Sequence, residues 1–78
     1  MTTIEEVLRR DDLTPYSKLL YRLFLENEEY RSRGNGALSR MLGTNNITIL
    51  RSIKQLKDRE LIDVQHGDNG FSKWITIL

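Results

Sequence analysis

The stretch LSRMLGTNNITILRSIKQLKDRELI, residues 38–62, decides the fold of this chain. Apolar residues recur at helical spacing on both sides of one interruption, the segment GTNN at 43–46. Gly43 is suited to end the first helix, because glycine adopts the left-handed conformation at little cost. Thr44 or Asn45 is suited to cap the helix that follows. The stretch therefore predicts two short helices joined by a tight turn.

The helix after the turn is predicted to have a buried side and an exposed side. Its inward residues are Ile49, Ser52 or Ile53, and Leu56, and the apolar pair 61–62 continues them after the helix ends. The outward residues include polar, basic and apolar types. They are Asn45, Asn46, Ile47, Thr48, Leu50, Arg51, Lys54 and Gln55.

Three helices are predicted upstream of the turn, including the one that ends at it. The first, over 3–11, is capped by Thr2 or Thr3 and is too short to be stable without docking. The second begins with Thr14 as cap and Pro15 in the first turn. Its predicted apolar face consists of Tyr16, Leu19, Leu20, Leu23, Phe24 and Tyr30, with Tyr21 and Leu25 at the margin. The third, just before the turn, is predicted to point Leu38, Met41 and Leu42 inward.

Two segments are predicted to be extended. Residues 30–33 lie before the glycine-containing loop and are expected to pair with a later strand. Residues 62–78 contain two β-prone runs around HGDNG, which predicts a hairpin. In that hairpin Ile75 and Ile77 are expected to face the helices, and Trp74 the other side or the edge.

Length and composition limit the classes of protein that fit. With 78 residues the chain is predicted to be one domain, 1–78, with an N-terminal helix (1–12), a helical core (13–62) and a hairpin (62–78). The absence of cysteine excludes a disulfide scaffold and a thiolate zinc site. No apolar run approaches the length of a membrane span, and no signal peptide is recognisable. We therefore expect a cytoplasmic protein, in a prokaryotic cell or in a virus-infected host cell.

Charge is distributed unevenly along the chain. Residues 1–30 carry four Lys or Arg and seven Asp or Glu, whereas residues 31–78 carry eight and four, which gives −3 and +4 and the overall +1. A basic C-terminal half is typical of a modest electrostatic footprint for nucleic acid. Chance asymmetry in a short chain is the alternative explanation.

The order of predicted elements is helix, helix, extended segment, helix, tight turn, helix and hairpin. This order is carried by LTPYSKLLYRLF (13–24), by ALSRMLGTNNITILRSIKQLKDRELI (37–62) and by VQHGDNGFSKWITI (64–77). It resembles the winged helix-turn-helix fold, closest to the domains of plasmid and phage replication initiators and of small prokaryotic or viral regulators. The fold class expected is mainly α with a small antiparallel β-hairpin, the wing.

The resemblance implies sequence-specific binding of double-stranded DNA, in transcription regulation or as a replication or mobile-element accessory protein. The helix after the turn would enter the major groove, where Asn46 suits adenine, Arg51 guanine and Ile47 a thymine methyl group. Hydroxyl, amide and basic side chains on and around this helix are suited to contact phosphate oxygens or the neighbouring minor groove. The full candidate set is Arg31, Arg33, Arg40, Thr44, Asn45, Asn46, Ile47, Thr48, Leu50, Arg51, Lys54, Gln55, His66, Asn69 and Lys73. A homodimer on a two-fold operator is the expected assembly.

A second interpretation is a winged-helix module that binds protein. Ile47 and Leu50 are apolar at exposed helix positions, and Trp74 adds a third candidate contact. Such a module would be a subunit of a transcription or replication complex, or a viral inhibitor of a host factor. The basic residues would then only steer the partner.

An enzyme is not expected. His66 is the only histidine and has no evident serine or cysteine partner, and the glycine-containing segments match no phosphate-binding loop. No metal site and no cofactor are predicted.

Overall fold

Helices dominate the structure and precede a small sheet along the chain. The computed structural model describes residues 3–67 and 73–78. Within these ranges lie α1 (Ile4–Arg9), α2 (Pro15–Glu26), a 3-10 helix (Glu28–Ser32), α3 (Asn35–Leu42), α4 (Asn46–Asp58), β1 (Ile62–His66) and β2 (Lys73–Ile77). The expected class, mainly α with a small antiparallel hairpin, is confirmed at this level.

Three helices begin at the caps that the sequence predicts. Thr3 Oγ1 accepts a hydrogen bond from the Glu6 amide at 3.2 Å, and Thr14 Oγ1 accepts one from the Ser17 amide at 3.2 Å. Of the two candidates before α4 it is Asn45 that caps, since its Oδ1 accepts from the Thr48 amide at 2.9 Å. Each cap satisfies an amide that has no partner within its own helix.

The turn between α3 and α4 is tight because of a left-handed glycine. Gly43 has φ 67°, which costs an L-residue with a Cβ atom appreciably more than it costs glycine. The following amide, from Thr44, donates to the Ser39 carbonyl oxygen at 2.9 Å and closes the end of α3. The predicted turn is confirmed.

The core lies between α1, α2, α3, α4 and one face of the sheet. It consists of Val7, Leu13, Leu20, Tyr21, Phe24, Leu38, Ile49, Ile53, Leu56, Leu61, Ile62 and Ile75. On α4 the predicted inward side is confirmed, and Ser52 and Ile53 are both buried.

The predicted inward face of α2 was wrong by about one residue position. Tyr21 is fully buried, whereas Leu19 is half exposed. The reason is Ser17, a small buried residue that lets α2 approach α4 closely and donates its hydroxyl to Gln55 Oε1 at 2.7 Å. The buried side of α2 therefore consists of Ser17, Leu20, Tyr21 and Phe24.

Met41 on α3 was also predicted inward, and this was wrong. Met41 is 46% exposed, and Ser39 is buried in its place. Ser39 Oγ lies 2.8 Å from the Gly36 carbonyl oxygen and 2.9 Å from Asn46 Oδ1, so its polar atom is satisfied inside the fold.

Residues 30–33 do not form the predicted strand. The segment 28–32 is a 3-10 helix, whose Tyr30 amide donates to the Asn27 carbonyl oxygen at 3.1 Å. Local hydrogen bonds thus engage the backbone, and the segment packs beside β2 without pairing with it.

The hairpin strands are antiparallel, with Ile62 opposite Ile77 and Val64 opposite Ile75. Because side chains alternate across a sheet, these four residues share the face that meets the helices. Trp74 lies on the opposite face and is 42% exposed, as predicted. Of the predicted turn at 66–70, His66 is the last residue of β1, and residues 68–70 lie outside the described residues.

An ion cluster joins the loop after α1 to the end of α4. The Asp12 carboxylate accepts from Arg10 Nη2 at 2.7 Å and from Arg59 Nε at 3.0 Å. The hydrogen bonds from these guanidinium groups, chiefly that of Arg10, hold the pKa of the Asp12 carboxyl well below its usual range. The cluster is solvent-accessible, so its contribution is modest.

We expect acid to remove this contribution. Because folding lowers the pKa of Asp12, the stabilisation is complete above the unfolded pKa of about 3.9 and is lost as the pH falls toward the folded value. Between about pH 5 and about pH 2 the melting temperature of Asp12→Asn should therefore fall less than that of the unaltered protein. Thermal unfolding followed by circular dichroism measures this, and an equal fall in both proteins would contradict it.

Candidate functional site

The outward side of α4 is an open surface that carries both apolar and basic side chains. We call Ile47, Leu50, Arg51, Lys54 and Asp58 the outer face of α4, because their helical spacing sets them opposite the buried residues. All five are exposed. Ile47 is 60% and Leu50 59% exposed, which are high values for aliphatic side chains. The predicted outward orientation of Ile47, Leu50, Arg51 and Lys54 is confirmed.

The outer face is basic in its middle. Arg51 and Lys54 lie one turn apart, and among the described residues neither takes part in an ion pair. The only acid of this face, Asp58, lies at the last position of α4. The two positive charges are therefore available to a ligand from solvent.

Side chains that were predicted to contact DNA make hydrogen bonds within the fold at the start of α4. Asn45 uses its Oδ1 as the helix cap, and Asn46 Oδ1 lies against Ser39 on α3. Asn46 nevertheless remains exposed, whereas Thr44 and Thr48 are half-buried. The polar groups at this end thus fix the angle between α3 and α4 as well as facing solvent.

Gln55 lies off the outer face and is engaged by the fold. Its Oε1 accepts from the Thr14 amide at 2.9 Å and from the Ser17 hydroxyl at 2.7 Å. These bonds tie α4 to the first turn of α2. The side-chain oxygen of Gln55 is therefore occupied, and the residue fixes the position of α4 against α2.

The three arginines predicted to flank the interface have different surroundings. Arg31 is half-buried, and its Nε donates to the Phe24 carbonyl oxygen at 2.7 Å, near the C-terminal end of α2. Arg33 is exposed, with its guanidinium carbon 6.0 Å from the centre of the Tyr30 ring. Arg40 on α3 is exposed as well. Arg33 and Arg40 are thus the more open of the three.

Three residues of the hairpin were predicted to contact DNA, and two of them lie within the described part of the chain. His66 is exposed at the end of β1. Lys73, its cross-strand partner, is half-buried and donates to Asn35 Oδ1 at the start of α3. Asn69 lies outside the described residues.

Two hollows flank α4, one on each side of its outer face. The first, of about 460 Å³, separates α4 from the hairpin. The second, of about 360 Å³, lies toward the start of α2 and is lined by Tyr16, Thr48 and Arg51, among others.

Two residues that line these hollows were missed by sequence reasoning. Tyr16 was assigned to the core, but it is only partly buried and borders the second hollow beside Arg51. Lys57 was not selected, although it lies seven residues after Leu50 and so shares its side of α4. That spacing was the available signal for Lys57; Tyr16 had no comparable signal.

Comparisons of the chain with models of protein families, with curated proteins and with solved structures found no match. Within the described residues, no helix combines the length and the apolar character needed to cross a bilayer. Function is therefore inferred from the geometry of the surface around α4.

Proposed function

We propose that this chain is a winged helix-turn-helix domain that binds double-stranded DNA through the outer face of α4. The observation that carries the proposal is the exposed pair Arg51 and Lys54, unpaired within the described residues, on a helix that follows a tight turn. The order of elements supports the fold assignment, since α3, the turn at 43–45, α4 and the hairpin follow one another directly.

Entry of α4 into the major groove accounts for the composition of its outer face. The groove admits one α-helix, and its base edges offer acceptors to arginine, hydrogen-bonding groups to asparagine and methyl groups to aliphatic residues. Asn46, Ile47 and Arg51 are suited to these three roles. Lys54, one turn further along, is suited to the phosphate backbone.

The second hollow supports the same orientation. The hydroxyl-bearing residues Tyr16 and Thr48 line it beside Arg51. Hydroxyl and guanidinium groups are common donors to phosphate oxygens, which fix the register of a helix in the groove. A phosphate of one strand lying here would let Tyr16 assist binding from α2.

A transcriptional regulator, or an accessory protein of replication or of a mobile element, is the role proposed for such a domain. The apolar side chains of Leu8 on α1 and Trp74 on β2 are exposed, and they are the candidate contacts of a homodimer. Dimerisation would increase the otherwise small number of DNA contacts.

Fluorescence anisotropy with a mixed-sequence duplex over a salt series tests the proposal. The logarithm of affinity should fall linearly with the logarithm of salt concentration, with a slope that corresponds to roughly three to six neutralised phosphates. Titration above the Kd gives the stoichiometry, and two chains per duplex are expected for a homodimer. No binding at about 50 mM salt would exclude the proposal, because non-specific binding is electrostatic and strongest at low salt.

Binding of a protein partner is the second candidate, favoured by one observation. Ile47 and Leu50 together expose a large part of two aliphatic side chains next to the basic pair. In that case Ile47→Asp with Leu50→Asp would abolish the interaction, whereas charge reversal of Arg51 and Lys54 would mainly slow association.

A further inference from the structure

The cleft between α4 and the hairpin has the composition of a ligand site. Its volume, about 460 Å³, lies in the range usual for sites that bind small molecules, roughly 300–1,000 Å³. It lies beside the outer face of α4, and its size suits a molecule of one or two rings.

Apolar groups line the cleft on both sides. Leu50 and Ile53 come from α4, and Val64 comes from β1. Ile53 is almost completely buried and is part of the core, so this part of the wall is fixed by the fold. Leu50 stays 59% exposed and would lose water contact when an apolar ligand binds.

Positive charge surrounds these apolar groups. Lys54, Lys57 and Lys73 line the cleft, and the only carboxylate among its described lining residues is Asp58. Lys73 is held in place by Asn35, and burial lowers its pKa, so an anion beside it would favour the charged form. His66 provides a further nitrogen donor next to Lys73.

We propose that this cleft binds a small organic anion with an apolar body. The ring or chain lies against Leu50, Ile53 and Val64, and the carboxylate, sulfonate or phosphate group lies among the lysines. This inference does not depend on DNA binding. The cleft is formed within one chain, and its ligand can be measured with no nucleic acid present.

Titration of the full chain with 1-anilinonaphthalene-8-sulfonate tests the proposal. We expect one binding site, with a Kd on the order of 100 µM as for other ligands of this size. In two-dimensional NMR spectra the amide shifts should be confined to the second half of α4, the start of α3 and the two strands. Shifts centred elsewhere, or no saturable binding up to about 1 mM, would overturn the proposal.

Matched variants separate the charged and apolar parts of the site. Lys57→Glu should weaken binding by about 5- to 10-fold, while Arg9→Glu, the same reversal at an exposed residue of α1, should leave the Kd unchanged. Leu50→Ser should weaken binding several-fold, while Leu19→Ser, at a similarly exposed leucine of α2, should not. Equal effects within either pair would refute the assigned position.

The requirement for an anion has its own control. N-phenyl-1-naphthylamine has the same two aromatic groups without the sulfonate. It should bind about 10-fold more weakly than the sulfonate, by the loss of one ion-pairing group. Equal affinity of the two compounds would show that charge plays no part and would overturn the assignment to organic anions.

Discussion

Reversal of both charges on the outer face of α4, Arg51→Glu with Lys54→Glu, is expected to lower affinity for duplex DNA by about 100-fold or more. A good contact between arginine and a base contributes about 1–3 kcal/mol, and a carboxylate in its place repels the phosphates. Anisotropy titrations at about 50 mM salt measure the change, and the salt slope of the variant should fall by at least about one neutralised phosphate, the one assigned to Lys54.

The matched control reverses two arginines elsewhere, Arg9→Glu with Arg22→Glu. Both double variants change the net charge from +1 to −3, so long-range repulsion is comparable. Arg9 and Arg22 are exposed, and among the described residues each pairs only with an acid one turn away on its own helix. We expect the control to weaken binding by less than about 3-fold at moderate salt. Similar losses in the two variants would show that α4 is not the binding surface.

Folding is a separate requirement that circular dichroism checks in the same samples. Arg51 and Lys54 are exposed and unpaired within the described residues, so the melting temperature should hardly change. A large fall in melting temperature would mean that the outer face of α4 has a structural role.

Truncation of Leu56 on the buried side of α4 is expected to have the largest effect on stability. Leu56 is completely buried, and Leu→Ala at such sites costs about 2–5 kcal/mol through lost burial and the cavity that remains. A domain of 78 residues has a total free energy of unfolding of about 4–12 kcal/mol. Leu56→Ala should therefore remove a large fraction of it.

Leu50→Ala is the control, because it makes the same change on the same helix at a side chain that is 59% exposed. Its cost in stability should stay below about 0.5 kcal/mol. Urea denaturation followed by circular dichroism gives both values. If the two variants lost equal stability, the assignment of inner and outer sides to α4 would be incorrect.

The sequence predicted the inner and outer sides of α4 correctly because its apolar residues recur at helical spacing. Ile49, Ile53 and Leu56 fall on one side, and the other residues of α4 are polar or charged apart from Ile47 and Leu50. Gly43 and Asn45 fixed the preceding turn by local chemistry alone, without any need for tertiary information. Such short-range signals are the ones that sequence patterns carry reliably.

The predictions that failed depend on contacts between distant segments. Tyr21 and Leu19 are both apolar enough to be buried, and the choice between them was made by the approach of Ser17 to α4. The 3-10 helix at 28–32 replaced a strand whose pairing would have required the distant hairpin. The hydroxyl of Tyr21 is buried with no hydrogen-bond partner among the described residues, and a periodic pattern of apolar residues does not predict this either.

The candidate site was predicted in outline only. Helical spacing correctly selected Ile47, Arg51 and Lys54 as outward-facing. It could not show that Gln55 and Arg31 are engaged by backbone groups of other segments, since both bonds arise only after the chain has folded. Nor could it show Tyr16 beside Arg51, because these residues come from different helices.

The bonds from Gln55 to Thr14 and Ser17 also bear on how this domain opens. They span 41 and 38 residues of the chain: Gln55 Oε1 accepts from the Thr14 amide, at the cap of α2, and from the Ser17 hydroxyl in its first turn. In most proteins such a terminal turn frays independently of its neighbours. Here fraying at the start of α2 would break two bonds to α4, so the opening of this turn is coupled to a helix about 40 residues further along the chain.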